Sequence, residues 1–203
     1  WIAGELGGEA SETGSEEGDF GLLQALTNRT VLLLVSAYFF VNVVGYVLII
    51  SSLKMVQALH GLNLWQISLI ASIPHVCAVP AMLVAGWSAD RTGRHKWHAV
   101  AATAVAAAGL AMSQLPGISP TLVVVGFSIG EMGLMSFYPA FWTLPGKMLS
   151  PRAAAAATGL ITMANIGGFV GPYAIGFMTD LTGTHAAGVV VLVVITDRHL
   201  TAV

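Results

Sequence analysis

Charge is what this sequence has least of. Only 9% of its 203 residues are Asp, Glu, Lys or Arg, and six of the ten acids (Glu5, Glu9, Glu12, Glu16, Glu17 and Asp19) stand within the first nineteen residues. The remainder is nearly charge-free outside short clusters. No run of bases forms an arm for a phosphate backbone, and nucleic acid is not expected as a partner. A single cysteine, Cys77, excludes an intrachain disulfide and leaves the redox compartment open. His75 has no second His four residues on and no adjoining Glu, so a zinc-hydrolase motif is absent, and neither metal nor cofactor is expected. The first residues carry no Met, no basic cluster and no apolar signal core, which predicts a fragment of a longer chain.

What is present is apolar. Hydrophobic residues make up 56% of the chain, and the mean hydropathy is +0.80, a membrane composition. Residues 1–28 are polar and Gly/Ser-rich. Glu9 to Gly21 cannot bury enough apolar area to hold a fold, so this stretch is predicted to be a flexible linker. Six hydrophobic segments follow, against the roughly 20 residues that a spanning helix needs. They run about Val31–Leu53, Leu64–Ala89, Trp97–Leu115, Pro120–Leu144, Ala153–Met178 and Ala186–Thr196. Pro74 and Pro80 favour kinks in the second, and the alanines of the third suit close helix contact. Pro145-Gly146-Lys147 is expected to break the fourth. The sixth, before Asp197-Arg198-His199, covers roughly 16 Å of a core about 30 Å thick and is predicted to be incomplete. The expected architecture is an all-α membrane protein, with residues 29–203 as one six-helix domain.

The bases orient it. With the linker placed inside, Arg29, Arg91, Arg94, Lys96, Lys147, Arg152 and Arg198 fall on one side and Lys54 alone on the other. That asymmetry makes the linker and the loops around Asp90–Lys96 and Lys147–Arg152 cytoplasmic.

Between the second and third segments lies Gly86-Trp87-Ser88-Ala89-Asp90-Arg91-Thr92-Gly93-Arg94-His95-Lys96-Trp97. Lipid cannot solvate such a cluster, so it must sit at a membrane surface. A positive loop that only fixes orientation is one reading. The spacing Gly-x-x-x-Asp-Arg-x-Gly-Arg is more particular and resembles the loop signature of the major facilitator superfamily, with His95 where a further Arg is usual. The resemblance implies a C-terminal half, helices seven to twelve of a twelve-helix transporter, with the N-terminal six-helix half missing. It also implies a cytoplasmic gate at Asp90, Arg91 and Arg94. The stretch Ala164-Asn165-Ile166-Gly167-Gly168-Phe169-Val170-Gly171-Pro172-Tyr173-Ala174-Ile175-Gly176-Phe177 resembles helix eleven of the anion:cation symporter branch. Phe141-Trp142-Thr143-Leu144-Pro145 resembles the end of its helix ten. That branch carries phthalate, tartrate and sugar acids. Its pattern places an Asn and a Trp beside substrate, which fall here on Asn165 and Trp142. Three features depart from it: Ile50-Ser51-Ser52-Leu53 replaces an aromatic-Leu-Pro, His75 replaces an aromatic, and Glu131 replaces a small apolar residue.

The residues themselves leave alternatives open. Asn165 inside a span either bonds a neighbouring helix or faces a wet cavity. Trp142 is either a substrate contact or an interfacial anchor. Glu131, the one carboxylate deep in a span, must be protonated, paired or wet; it is a proton-coupling candidate or a tolerated polar residue. His75 either meets substrate and titrates near neutrality or is a satisfied packing residue. Asn42 and Tyr46, four apart, share a helix face and either line the path or bond across helices. Gly167, Gly168, Gly171, Gly176 and Pro172 are assigned to packing and flexing.

Three functions compete. The first is secondary transport of small organic anions, coupled to protons, across a bacterial inner membrane, with substrate at the midplane. None of the eight Lys and Arg lies deep in a span, and the resemblance puts the base that meets a substrate carboxylate in the other half. The second is a membrane enzyme using Glu131 and His75, weakened by the lack of a nucleophile with an adjacent base. The third is a non-transporting remnant or sensor built on a transporter half.

Overall fold

The computed structural model describes residues 27–59, 61–182 and 198. All secondary structure among them is helical: α1 (Arg29–Ala58), α2 (Leu64–Thr92), α3 (His95–Ser113), α4 (Pro120–Trp142), α5 (Leu144–Met148), α6 (Pro151–Met163), a 3-10 turn (Ala164–Ile166) and α7 (Gly167–Thr182). The linker, up to residue 26, and the sixth hydrophobic segment lie outside the described residues.

The starts of α1, α2, α4 and α6 are each set by a short polar side chain. Asn28 Oδ1 accepts from the backbone N–H of Thr30 at 2.9 Å to open α1. Asn63 and Gln66 exchange side-chain and backbone bonds at the head of α2, at 2.9 and 3.1 Å. Ser-Pro pairs open α4 (Ser119-Pro120) and α6 (Ser150-Pro151), the serine capping an N–H and the proline occupying a position whose own N–H would go unused.

Among the described residues four stretches are long and apolar enough to cross a bilayer: Arg29–Ile50, Leu64–Thr92, Pro120–Met148 and Ala153–Tyr173. Large apolar side chains on α2, including Leu64, Trp65, Val76, Leu83, Val84 and Trp87, lie exposed. In water such a face would be costly; in lipid it is the expected exterior.

The hub is α4, which packs most extensively against α3 and α2 and also touches α1, while α1 in turn packs against α7. Small residues make the α3–α4 contact. A Cβ on Gly133 would run into the backbone of Ala106 and Ala102, one on Gly109 into the backbone of Gly130 and Gly126, and one on Gly126 would lie 2.8 Å from Ser113 N. As positions rise on α3 their partners fall on α4, so the two helices are antiparallel. The pairings Gly86–Pro139 and His75–Glu131 rise together, so α2 and α4 are parallel. Gly167 and Gly171 likewise face Phe39 and Val43 of α1, whereas Gly176 faces open space.

Three expectations need correction. The fifth segment is not one continuous helix: it tightens to a 3-10 turn at Ala164–Ile166, and Pro172 sits inside α7 without ending it. The paired Gly167-Gly168, poor helix formers pressed against α1, stand where the ladder changes. The fourth segment is interrupted at Thr143 and not by Pro145-Gly146-Lys147, which lie inside α5. Pro145 falls in the first turn of that short helix, where its missing N–H costs nothing. The first helix runs past Leu53 to Ala58.

Backbone atoms cannot step aside for a methyl group. Gly133→Ala should therefore lower stability by about 1–3 kcal/mol, the usual cost of overpacking, measured by thermal unfolding in detergent. Gly176→Ala should be neutral or slightly stabilising. Equal stability of Gly133→Ala and the parent would contradict backbone-to-backbone packing of α3 on α4.

Candidate functional site

A cavity of about 410 Å³ opens between α1, α2 and α4. From α1 it receives Asn42 and Tyr46, one turn apart; from α2, His75; from α4, Glu131 and Tyr138. His75 Nδ1 stands 3.3 Å from Glu131 Oε1. The two side chains differ sharply in access: the imidazole is 69% exposed and the carboxyl 7%.

The register of two parallel helices explains the meeting. His75 and Glu131 each lie eleven residues beyond the first residue of their helix, Leu64 and Pro120. At 1.5 Å per residue both sit roughly 16 Å down from the same surface. A carboxyl buried at that depth is costly without a polar partner, and the imidazole supplies one. A second cavity of about 240 Å³ shares His75, Glu131 and Met135 with the first, so the pair forms part of the wall between them. Among the described residues no group of three or more His, Cys, Asp or Glu gathers as a metal site.

Asn42 faces the cavity while its amide Nδ2 donates to its own helix, at Tyr38 O, 2.8 Å away. Trp142 and Asn165 stand apart from these residues. Trp142 packs edge-on against Tyr38 at 5.3 Å, within a cluster that includes Phe137, Tyr138 and Phe141. Asn165 is exposed on the 3-10 turn. Tyr46 is held from behind by α7: a Cβ on Gly168 would strike its ring.

The charged cluster at the other end is less a loop than a corner. Gly86 to Thr92 form the last turns of α2, with Gly86 toward Pro139 of α4, and α3 begins at His95. Only Gly93 and Arg94 connect them. Gly93 has φ +69°, the left-handed region, and its N–H closes α2 on Ala89 O at 2.9 Å. Arg91 lies over the Trp87 ring at 5.4 Å. Ser88 Oγ and His98 Nε2 are 3.0 Å apart, and His98 Nδ1 is 3.0 Å from Arg94 O. Because a carbonyl can only accept, Nδ1 carries a proton, and in the neutral ring Nε2 accepts from the serine hydroxyl. Asp90 is exposed at 3.9 Å from buried His95, whose ring nitrogens have no hydrogen-bond partner. Arg94 is exposed.

Sequence reasoning marked Glu131 and His75 separately and missed their pairing, as it missed Tyr138. The pairing had a signal, equal offsets from two helix starts, usable only once the helices are known to be parallel neighbours.

The family model for the Major Facilitator Superfamily matches residues 4–172. A protein named "Putative tartrate transporter" from Agrobacterium vitis is 33% identical over 180 residues, covering 88% of this chain and 40% of that protein. A quinolone resistance transporter from Acinetobacter baumannii is 30% identical, covering 85% of this chain and 40% of its own length. An inner membrane transport protein, RhmT, from Escherichia coli is 31% identical, at 84% and 40%. The chain thus spans about two fifths of the length of these relatives.

The exposures of His75 and His95 predict their reactivity. Diethylpyrocarbonate should modify His75 readily and His95, whose side chain is 2% exposed, slowly, with peptide mass spectrometry reporting each site. Faster modification of His95 would mean that the corner is open and not packed as described.

Proposed function

The chain belongs to the major facilitator superfamily, and from that premise we propose that it forms the C-terminal six-helix half of a twelve-helix secondary transporter for small organic anions. It is an integral, multi-pass membrane protein. The proposed membrane is the bacterial inner membrane, in keeping with the bacterial relatives. The observation that carries the reading is the largely apolar cavity between α1, α2 and α4, into which Asn42, Tyr46, His75 and Glu131 bring a few polar groups, set among helices of membrane length. A pocket at mid-depth is where alternating access needs its site, reached in turn from each surface as two helix bundles rock about it.

In this reading Asn42, Tyr46 and His75 contribute to one wall of the substrate site. Trp142 and Asn165 keep the substrate roles that the resemblance gives them only in a state where their helices turn toward that wall; the ring stack holds Trp142 away here. Glu131 is the proton-coupling residue, because protonation lets a carboxyl pass through a state closed to water. Asp90, Arg91 and Arg94 belong to a cytoplasmic gate at the tight α2–α3 corner. The substrate class, of which tartrate is one member, rests on the helix-eleven resemblance and on the names of two relatives.

The test is uptake into proteoliposomes by the complete transporter, with tartrate, sugar acids and aromatic acids as substrates. A pH gradient, acidic outside, should drive uphill accumulation of at least one of them. Glu131→Gln should abolish that accumulation and retain exchange between loaded and external substrate. A Gln variant that still concentrates substrate would remove Glu131 from the coupling role, and no accumulation of any of these anions would refute the substrate class.

A further inference from the structure

The His75–Glu131 pair has an asymmetry that a simple buried ion pair lacks. Its carboxyl is enclosed, and its imidazole is largely exposed and lines the cavity. Among the described residues no Lys or Arg lines either adjoining cavity, and the other titratable side chains there are the phenols Tyr46 from α1 and Tyr138 from α4. Phenols stay neutral across the physiological range (ordinary midpoint about 10). The net charge of the cavity is therefore set by how many protons the pair holds.

With one proton the pair is neutral overall, whether written as imidazolium with carboxylate or as imidazole with carboxylic acid. With two it carries a single positive charge, on the exposed ring. Only the doubly protonated pair offers an incoming anion an unopposed cation, and in the singly protonated pair Glu131 already occupies that cation.

We propose that a substrate carboxylate binds at His75 by displacing Glu131, with Glu131 taking up one proton from the aqueous phase as the anion arrives. The exchange balances: imidazolium–carboxylate plus a proton plus an anion gives imidazolium–substrate plus a neutral carboxylic acid, with no change in net charge. Loading one carboxylate thus requires loading one proton. His75 becomes the cation that the Lys and Arg inventory of this chain does not place deep in a span, and Glu131 the competitor that makes binding proton-dependent. This step rests on the organic-anion reading above, which names the ligand class.

Nuclear magnetic resonance of ring-labelled histidine in the full-length protein tests it, with acetate and tartrate as probes and the His75 signal assigned with His75→Gln. Between about pH 5 and 6, carboxylate affinity at His75 should rise about tenfold per pH unit as the medium is acidified, the slope of one linked proton. In Glu131→Gln the competitor is gone. Affinity should then be nearly flat over that range and at least tenfold tighter than the parent's at its upper end. Glu131→Asp, which keeps the charge, should retain the slope and so separates loss of the carboxylate from general damage to the fold. A parent-like slope in Glu131→Gln overturns the exchange, as does a His75 signal that neither carboxylate perturbs in any form. Uptake assays answer a different question: failed accumulation of organic anions with intact proton-linked binding at His75 would refute the substrate class and keep the exchange.

Discussion

The geometry of this chain follows from how closely α4 is pressed against α3. Gly126, Gly130 and Gly133 offer no side chains on that face, and the alanines and Gly109 of α3 let the backbones touch. Without a hydrophobic drive between helices in lipid, such contact and the dispersion it brings are what hold two spans together. It also fixes the rotation of α4. A residue next to Gly130 points roughly 100° round the helix, and that residue is Glu131, which faces α2 and the cavity. Packing on one face therefore decides where the carboxylate on the next face can go.

A carboxylate so placed must be accommodated, and the parallel course of α2 brings His75 to the same depth. The tight corner at Gly93-Arg94 leaves little slack between α2 and α3, and the Ser88–His98 bond ties the two helices further. Since α3 is locked to α4, a short corner also restrains the height of α2 against α4. On this account the charged motif and the buried pair are linked through helix register, although one lies at the membrane surface and the other at mid-depth.

Much of this was legible in the sequence, for reasons that can be named. The membrane class and most of the helix starts followed from long apolar runs ended by Asn, Ser-Pro or Gly, since local chemistry alone decides them. The 3-10 turn at Ala164–Ile166 did not, because it coincides with close packing of Gly167 and Gly168 against Phe39 and Tyr46 of α1, more than a hundred positions earlier. The misplaced break at Pro145 came from treating proline as a stop where it stands in a helix's first turn. Glu131 and His75 were conspicuous as polar residues in apolar runs. Their contact was not, since it joins residues more than fifty positions apart through the relative height of two helices. The substrate roles expected of Trp142 and Asn165 came from resemblance, and here both lie apart from the cavity that gathers Asn42, Tyr46, His75 and Glu131.

The central claim is that His75 and Glu131 act on one another and not merely near one another. A double-mutant cycle measures this directly: His75→Phe, Glu131→Gln and the double variant, compared by thermal unfolding in detergent at neutral pH. Partners in contact give non-additive effects, whereas independent sites add. The account predicts that His75→Phe destabilises the parent clearly more than it destabilises the Glu131→Gln background, where no carboxylate is left without its partner. The same loss in both backgrounds would contradict it.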